Sequence, residues 1–240
     1  MRITELWRYP VKSLQGERID AGELTPQGLA GDRQYAIFDT TTGFGLTARR
    51  FPELLYASAR LRDDGTAEIT LPDGSVAADD EALSRWLGRP VALRSTAEVT
   101  ERRYENPDDA EDEEGTWQPF DGASGAFHDS EHAVVSILGT ATMRDWAPRR
   151  FRANVLVEGS GEDELVGSQV RAGGAVLDVT QRIARCVMVT RPQPDGIDRD
   201  LTVLRTVHRE AGGCLSVGAD VLRPGPVRVG DDVLGGAAVR

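Results

Sequence analysis

The feature that most constrains this chain is its punctuation. Short apolar runs are separated by glycine, proline and aspartate turns, among them Thr41-Thr42-Gly43-Phe44-Gly45, Asp63-Asp64-Gly65 and Pro72-Asp73-Gly74-Ser75. Short β-branched runs bounded by such residues read as strands joined by hairpins. Residues 2–8, 19–24, 34–39, 57–61, 67–71 and 91–94 are the strand candidates of the first half. Ala82, Leu83, Trp86 and Leu87 recur at helical spacing behind acidic residues, so 79–87 is expected to be a helix. Strands with turns at short intervals predict a barrel-like β unit carrying one helix.

The second half continues the pattern. Residues 134–138, 170–172 and 175–180 read as strands, and 140–146 and 200–208 as helices. In 151–157, residues two apart share a strand face. Arg152 and Asn154 would then point one way, and Phe151, Ala153 and Val155 toward the core. A cation and an amide aimed together suit an oxyanion, while an edge strand with a polar outer face gives the same pattern. In Gln181-Arg182-Ile183-Ala184-Arg185-Cys186, a thiol follows an arginine, and the valine-rich 187–190 predicts a strand. A neighbouring cation favours thiolate, the form that binds soft metals. Cys186 is therefore a candidate metal ligand or nucleophile, or else a small buried hydrophobe.

At 240 residues the chain makes one large or two small domains. Basic residues number 28 against 39 acidic ones, a net charge of −11 that argues against nucleic acid or an anionic membrane as partner. Lys12 is the only lysine. Two cysteines, Cys186 and Cys214, make no disulfide framework, the first residues lack the apolar core of a signal peptide, and no apolar run approaches ~20 residues. Free thiols in a reducing cytoplasm are the expectation. Asp108, Asp109, Glu111, Asp112, Glu113 and Glu114 crowd residues 105–115, and charges so dense predict a mobile, solvated, dispensable loop.

Several isolated polar residues stand at predicted strand ends: Lys12-Ser13, Arg33, Asp129-Ser130, Arg152 with Asn154, and Arg185 beside Cys186. Cations and hydroxyls hold phosphate, amides read ring heteroatoms, and a thiolate takes a soft metal. No Cys-x-x-Cys pair occurs, so a metal here would draw its other ligands from a cofactor.

The chain resembles the MOSC proteins, named for the carboxy-terminal domain of molybdenum cofactor sulfurase. The matching residues are Tyr9-Pro10-Val11-Lys12-Ser13, Gly31-Asp32-Arg33, Phe51-Pro52-Glu53-Leu54, Phe151-Arg152-Ala153-Asn154-Val155, Arg185-Cys186, and Pro224-Gly225 through Val229-Gly230-Asp231. The resemblance covers nearly the whole chain, in order. It implies a mainly β fold: a MOSC N-terminal β-barrel domain (1–95), an acidic loop or linker (96–120) and a MOSC β-barrel domain (121–240).

It further implies the molybdenum cofactor, Mo-molybdopterin, with Cys186 as the protein's sulfur ligand to the metal and catalytic residue. Lys12, Ser13, Arg33, Arg152, Asn154 and Arg185 match positions that hold the pterin and its phosphate. Alignment near residue 130 is ambiguous, so either Asp129-Ser130 or Glu131-His132 falls at a cofactor contact, and Ser130 and His132 are both candidates. Cys214 matches no ligand position. Relatives of this layout, including the mitochondrial amidoxime-reducing component, reduce N-hydroxylated compounds. The implied activity is thus an oxidoreductase acting on a small N–O substrate, fed by a ferredoxin-, flavin- or cytochrome-type electron donor. At family level a pyridoxal phosphate label also attaches. A carrier of the cofactor, or of sulfur on Cys186, is the competing implication.

Overall fold

The computed structural model describes residues 1–108 and 115–235. The fold is mainly β, with few and short helices. An eight-stranded sheet runs in the order Val233–Gly235, Ser168–Ala172, Ala175–Ala184, Cys214–Arg223, Val135–Gly139, Val155–Val157, Ile3–Arg8, Glu17–Ile19. Val135–Gly139 and Val155–Val157 pair in parallel; the other pairs are antiparallel. A parallel pair needs a crossover connection. Here it carries the short helix Thr140–Met143 and the 3-10 turn Pro148–Arg150. The alternating residues Val170, Ala172, Leu177, Val179, Val217 and Ala219 bury one face of this sheet, and Leu24, Leu29 and Val227 join the same core.

A second apolar core gathers Val11, Leu14, Ile37, Leu54, Leu55, Ile69, Leu83 and Val91. Around it, Tyr35–Asp39 pairs with Val91–Ser95, and Ser58–Leu61 with Ala67–Thr70. Helix Asp80–Leu87 starts where the Asp79 side chain accepts from the Ala82 N–H (2.8 Å) and stops at Gly88, which takes φ 65°. An N-cap carboxylate and a left-handed glycine are the usual reasons for a helix to begin and end where it does.

The division into 1–95 and 121–240 is crossed by hydrogen bonds. The strands Ile3–Arg8 and Glu17–Ile19 belong to the large sheet of the second unit, and Ala21–Thr25 pairs with Gly225–Arg228. Of the stretch expected to be an acidic loop or linker, Arg103–Pro107 and Trp117–Asp121 form an antiparallel hairpin instead. Cross-strand contact explains this: Phe120 lies opposite Tyr104, their rings 5.7 Å apart, and Tyr104 is buried against Phe38 and Phe127. The acidic run itself lies outside the described residues apart from Asp108.

Two expectations around the site are corrected. Residues Val187–Thr190 form a 3-10 turn and not a strand. The strand Ala175–Ala184 ends at the pair Ala184–Cys214, because its neighbour turns away at Gly212 and Gly213 into helix Leu201–Ala211. With no ladder to join, Val189 packs against Val203 and Val207 of that helix. β-propensity expresses itself only where a partner strand exists. Likewise Arg152 and Asn154 precede the strand, which begins at Val155, and Arg152 has φ 52°. Their common strand face does not exist, although Phe151, Ala153 and Val155 are buried as expected. Among the described residues no helix is long and apolar enough to cross a membrane.

Candidate cofactor cleft

A cleft of about 360 Å³ opens between the two cores, and Lys12, Ser13, Arg33, Ser130, Arg152, Asn154, Arg185 and Cys186 all line it. Only His132 of the predicted set lies elsewhere. Its ring is 75% exposed and its Nδ1 stands 3.7 Å from Asp220. Near residue 130 the cleft is lined by Asp129 and Ser130, and not by Glu131 or His132.

Lys12 follows Pro10, and its backbone N–H donates to the Tyr35 carbonyl (2.8 Å). Its side chain is buried, with Nζ donating to the Phe127 carbonyl (3.2 Å), paired with the Asp129 carboxylate and 4.9 Å above the Tyr104 ring. The Asp129 side chain stands at the cleft surface, but Lys12 holds its pKa well below the usual carboxylate range against the cost of desolvation. Ser13 takes φ 71° and accepts from the Ala48 N–H (3.0 Å).

The turn Gly31-Asp32-Arg33 places Arg33 with φ 50°. Asp32 is buried, accepts from the Tyr9 N–H (2.7 Å) and pairs with the Arg33 guanidinium. Burial opposes the Arg33 charge, yet Asp32 and Asp129 outweigh it and the pKa is raised. Tyr9, Asp129 and Asp32 also favour the Arg152 charge, and Cys186 and Tyr9 that of Arg185, but burial outweighs them and pulls each down to about 10. Arg152 donates to the Leu14 carbonyl; Arg185 donates to the carbonyls of Leu215 (2.8 Å) and Phe151 (2.9 Å) and to the Ser216 hydroxyl. These acceptors are neutral, so the two guanidinium charges are only weakly compensated. A desolvated cation without a counter-charge favours an anion.

Cys186 is exposed at the start of the 3-10 turn Val187–Thr190, which removes the buried-hydrophobe reading. Buried Arg150 braces this turn by donating to the carbonyls of Val189 (3.1 Å), Arg191 (3.2 Å) and Asp198 (2.6 Å). Among the described residues no three His, Cys, Asp or Glu side chains cluster to cage a metal. Cys186 can thus offer a single sulfur to a metal whose other ligands come from elsewhere.

Behind the cleft, Tyr9 lies beneath Arg33 and Arg152, and burial pushes its phenol up to about 12. Some cleft residues were not singled out from the sequence. Ser136 gave one signal, a hydroxyl inside the apolar run Val134 to Leu138. Arg150, Asn106 and Phe120 gave none, because only the fold brings them to the cleft.

Comparison with known families agrees with this layout. Residues 1–117 match the MOSC N-terminal beta barrel domain and residues 127–234 the MOSC domain. The chain belongs to the MOSC family. The cleft residues Arg152, Arg185 and Cys186 fall within the MOSC match. Molybdenum cofactor sulfurase of Drosophila grimshawi is 26% identical over 92% of this chain, and the match spans only 32% of that protein's length. Mitochondrial amidoxime-reducing component 1 of Mus musculus is 23% identical over 96% of this chain and 81% of its own length. Among solved structures, the YuaD protein of Bacillus subtilis is 16% identical, with a TM-score of 0.45 over 97% of this chain and 93% of that one.

Proposed function

We propose that this MOSC protein binds the molybdenum cofactor in its cleft and reduces N-hydroxylated compounds with electrons from a separate ferredoxin-, flavin- or cytochrome-type protein. The observation that carries the reading is the convergence of buried Lys12 and half-buried Arg33, Arg152 and Arg185 beside one exposed thiol. The residues fit such a group. Arg152 and Arg185 have neutral hydrogen-bond acceptors only, which a phosphate would replace or supplement. Cys186 offers one sulfur where a dithiolene would bring the rest.

When bound, the cofactor supplies a redox-active molybdenum, and the protein positions it. Lys12, Ser13, Arg33, Arg152 and Arg185 would hold the pterin phosphate, and Cys186 would be the protein's ligand to the metal. The overall change is R–NH–OH + 2 electrons + 2 protons → R–NH2 + H2O. Asp129 is no proton donor near neutral pH, because Lys12 keeps it ionised. Burial keeps His128 neutral and the Tyr9 phenol protonated. The protons therefore enter from solvent at the mouth, where Cys186 is exposed.

A second reading has its own support: an exposed thiol beside a cation suits a persulfide carrier, and one relative is named a sulfurase. The deciding experiment isolates the protein from a molybdopterin-producing host, measures molybdenum, and assays an N-hydroxyamidine with a reduced viologen as donor. Turnover by wild type and by Cys214→Ser, lost in Cys186→Ser, is expected for the reductase. Molybdenum-loaded wild type that reduces no N–O compound would favour the carrier. Full turnover in Cys186→Ser would remove the ligand assignment.

A further inference from the structure

The described residues include seven exposed large hydrophobic side chains, and Phe120 is the one of these that lines the cleft. It stands on Trp117–Asp121, the second strand of the hairpin, and its ring leans on Tyr104 at 5.7 Å and 33°. Tyr104 in turn backs Lys12. One edge of the Phe120 ring is thus fixed and another left open to the cleft. Asn106, on the first hairpin strand, is exposed and lines the same cleft. The cleft is therefore divided by chemistry. Lys12, Arg33, Arg152 and Arg185 line its inner wall, while exposed Asn106 and Phe120 put uncharged side chains on the hairpin side, and Asp129 is the one carboxylate among the lining residues.

From this division we infer that Phe120 and Asn106 form a substrate subsite that takes the flat, uncharged aromatic body of an N-hydroxylated compound. The inference rests on the reductase reading above. An open aromatic face gains by stacking a second ring, since offset and tilted aromatic pairs are favourable beyond the area they bury. The Asn106 amide offers both a donor and an acceptor to a polar edge such as an N-hydroxyamidine. The hairpin then sets which substrates approach the thiol, and the cationic wall holds what the thiol serves.

The test compares the molybdenum-loaded wild type with Phe120→Ala and Phe120→Leu, using a reduced viologen as donor. Benzamidoxime is the aromatic substrate and acetamidoxime the small aliphatic one. The ratio of their KM values, aromatic to aliphatic, should rise about fivefold in both variants, the worth of one aromatic pair. Molybdenum per chain should stay at the wild-type level. Phe120→Leu keeps an apolar group against Tyr104, so the measurement survives if the alanine variant folds poorly. An unchanged ratio would overturn the subsite. Loss of molybdenum from a folded Phe120→Leu would also overturn it, because the ring would then serve the cofactor. If loaded wild type reduces neither compound, the reductase reading fails and the subsite with it. A wild type that reduces both while the variants shift neither sinks the subsite alone.

Discussion

Ser136 and Asn154 face each other across the parallel pair of strands and exchange three hydrogen bonds. Asn154 Oδ1 accepts from the Ser136 N–H (3.2 Å) and hydroxyl (3.1 Å), and the Ser136 Oγ accepts from the Asn154 N–H (3.0 Å). The Asn154 Nδ2 donates to the Trp7 carbonyl (3.3 Å). Asn154 thus ties three neighbouring strands together where it lines the cleft.

Asn154→Ala would strand the buried Ser136 N–H, so it should cost about 1–3 kcal/mol of stability. Ser136→Ala should cost a similar amount, and the double variant less than the sum, since both remove one network. Urea denaturation of the four proteins measures the cycle.

Arg152→Met should act in the opposite sense. It removes a desolvated charge whose hydrogen-bond partner is the Leu14 carbonyl. Replacing such a charge by an apolar side chain of similar size is often neutral or stabilising. The cofactor-free protein should keep its urea midpoint. Bound pterin and molybdenum should fall at least about tenfold, given about 1.5–3 kcal/mol for each charge-assisted hydrogen bond.

Acid should expose the Lys12–Asp129 pair. Asp129 has its native pKa depressed, chiefly by Lys12, below the unfolded value of about 3.9. The unfolded chain then binds the proton first, so this stabilisation is present above that pH and is lost as pH falls toward the native pKa. Wild type should be more stable than Asp129→Asn at pH 6, and the gap should narrow below about pH 4. Thermal melts from pH 6 to 3 would show it, and a gap independent of pH would refute the pairing.

Gly31→Ala should loosen the turn that aims Arg33. Gly31 takes φ 85°, and an added Cβ would lie 2.1 Å from Leu61 Cδ1. The strained backbone and the displaced leucine should together cost about 1–3 kcal/mol. Cofactor content should fall with stability, because Arg33 is two residues away.

Much of the local architecture was legible. The helices at 79–87 and 200–208 announced themselves through apolar spacing, and the structure adds the caps: Asp79 and Asp200 accept the first N–H groups, and Gly88 and Gly212 end each helix left-handed. The strand expected at 187–190 failed because its valines carry no information about whether a partner strand continues beside them. It does not, since the Gly212-Gly213 turn has already led the chain away. The hairpin Arg103–Pro107 with Trp117–Asp121 was hidden by the acids between its strands, while the deciding feature was burial of Tyr104 against Phe38 and Phe127.

By itself the sequence determined the turns, the short strands, the family and the residue types suited to a phosphate and a soft metal. These depend on backbone preferences and patterns within a few positions. Tertiary structure alone decided which of those residues share a cleft and how far each is desolvated. Lys12 meets Asp129 across 117 positions, and Arg152 meets Leu14 across 138. No local rule reaches that far. Only once two apolar cores close around them do Arg152 and Arg185 lose their water and become cations in want of an anion.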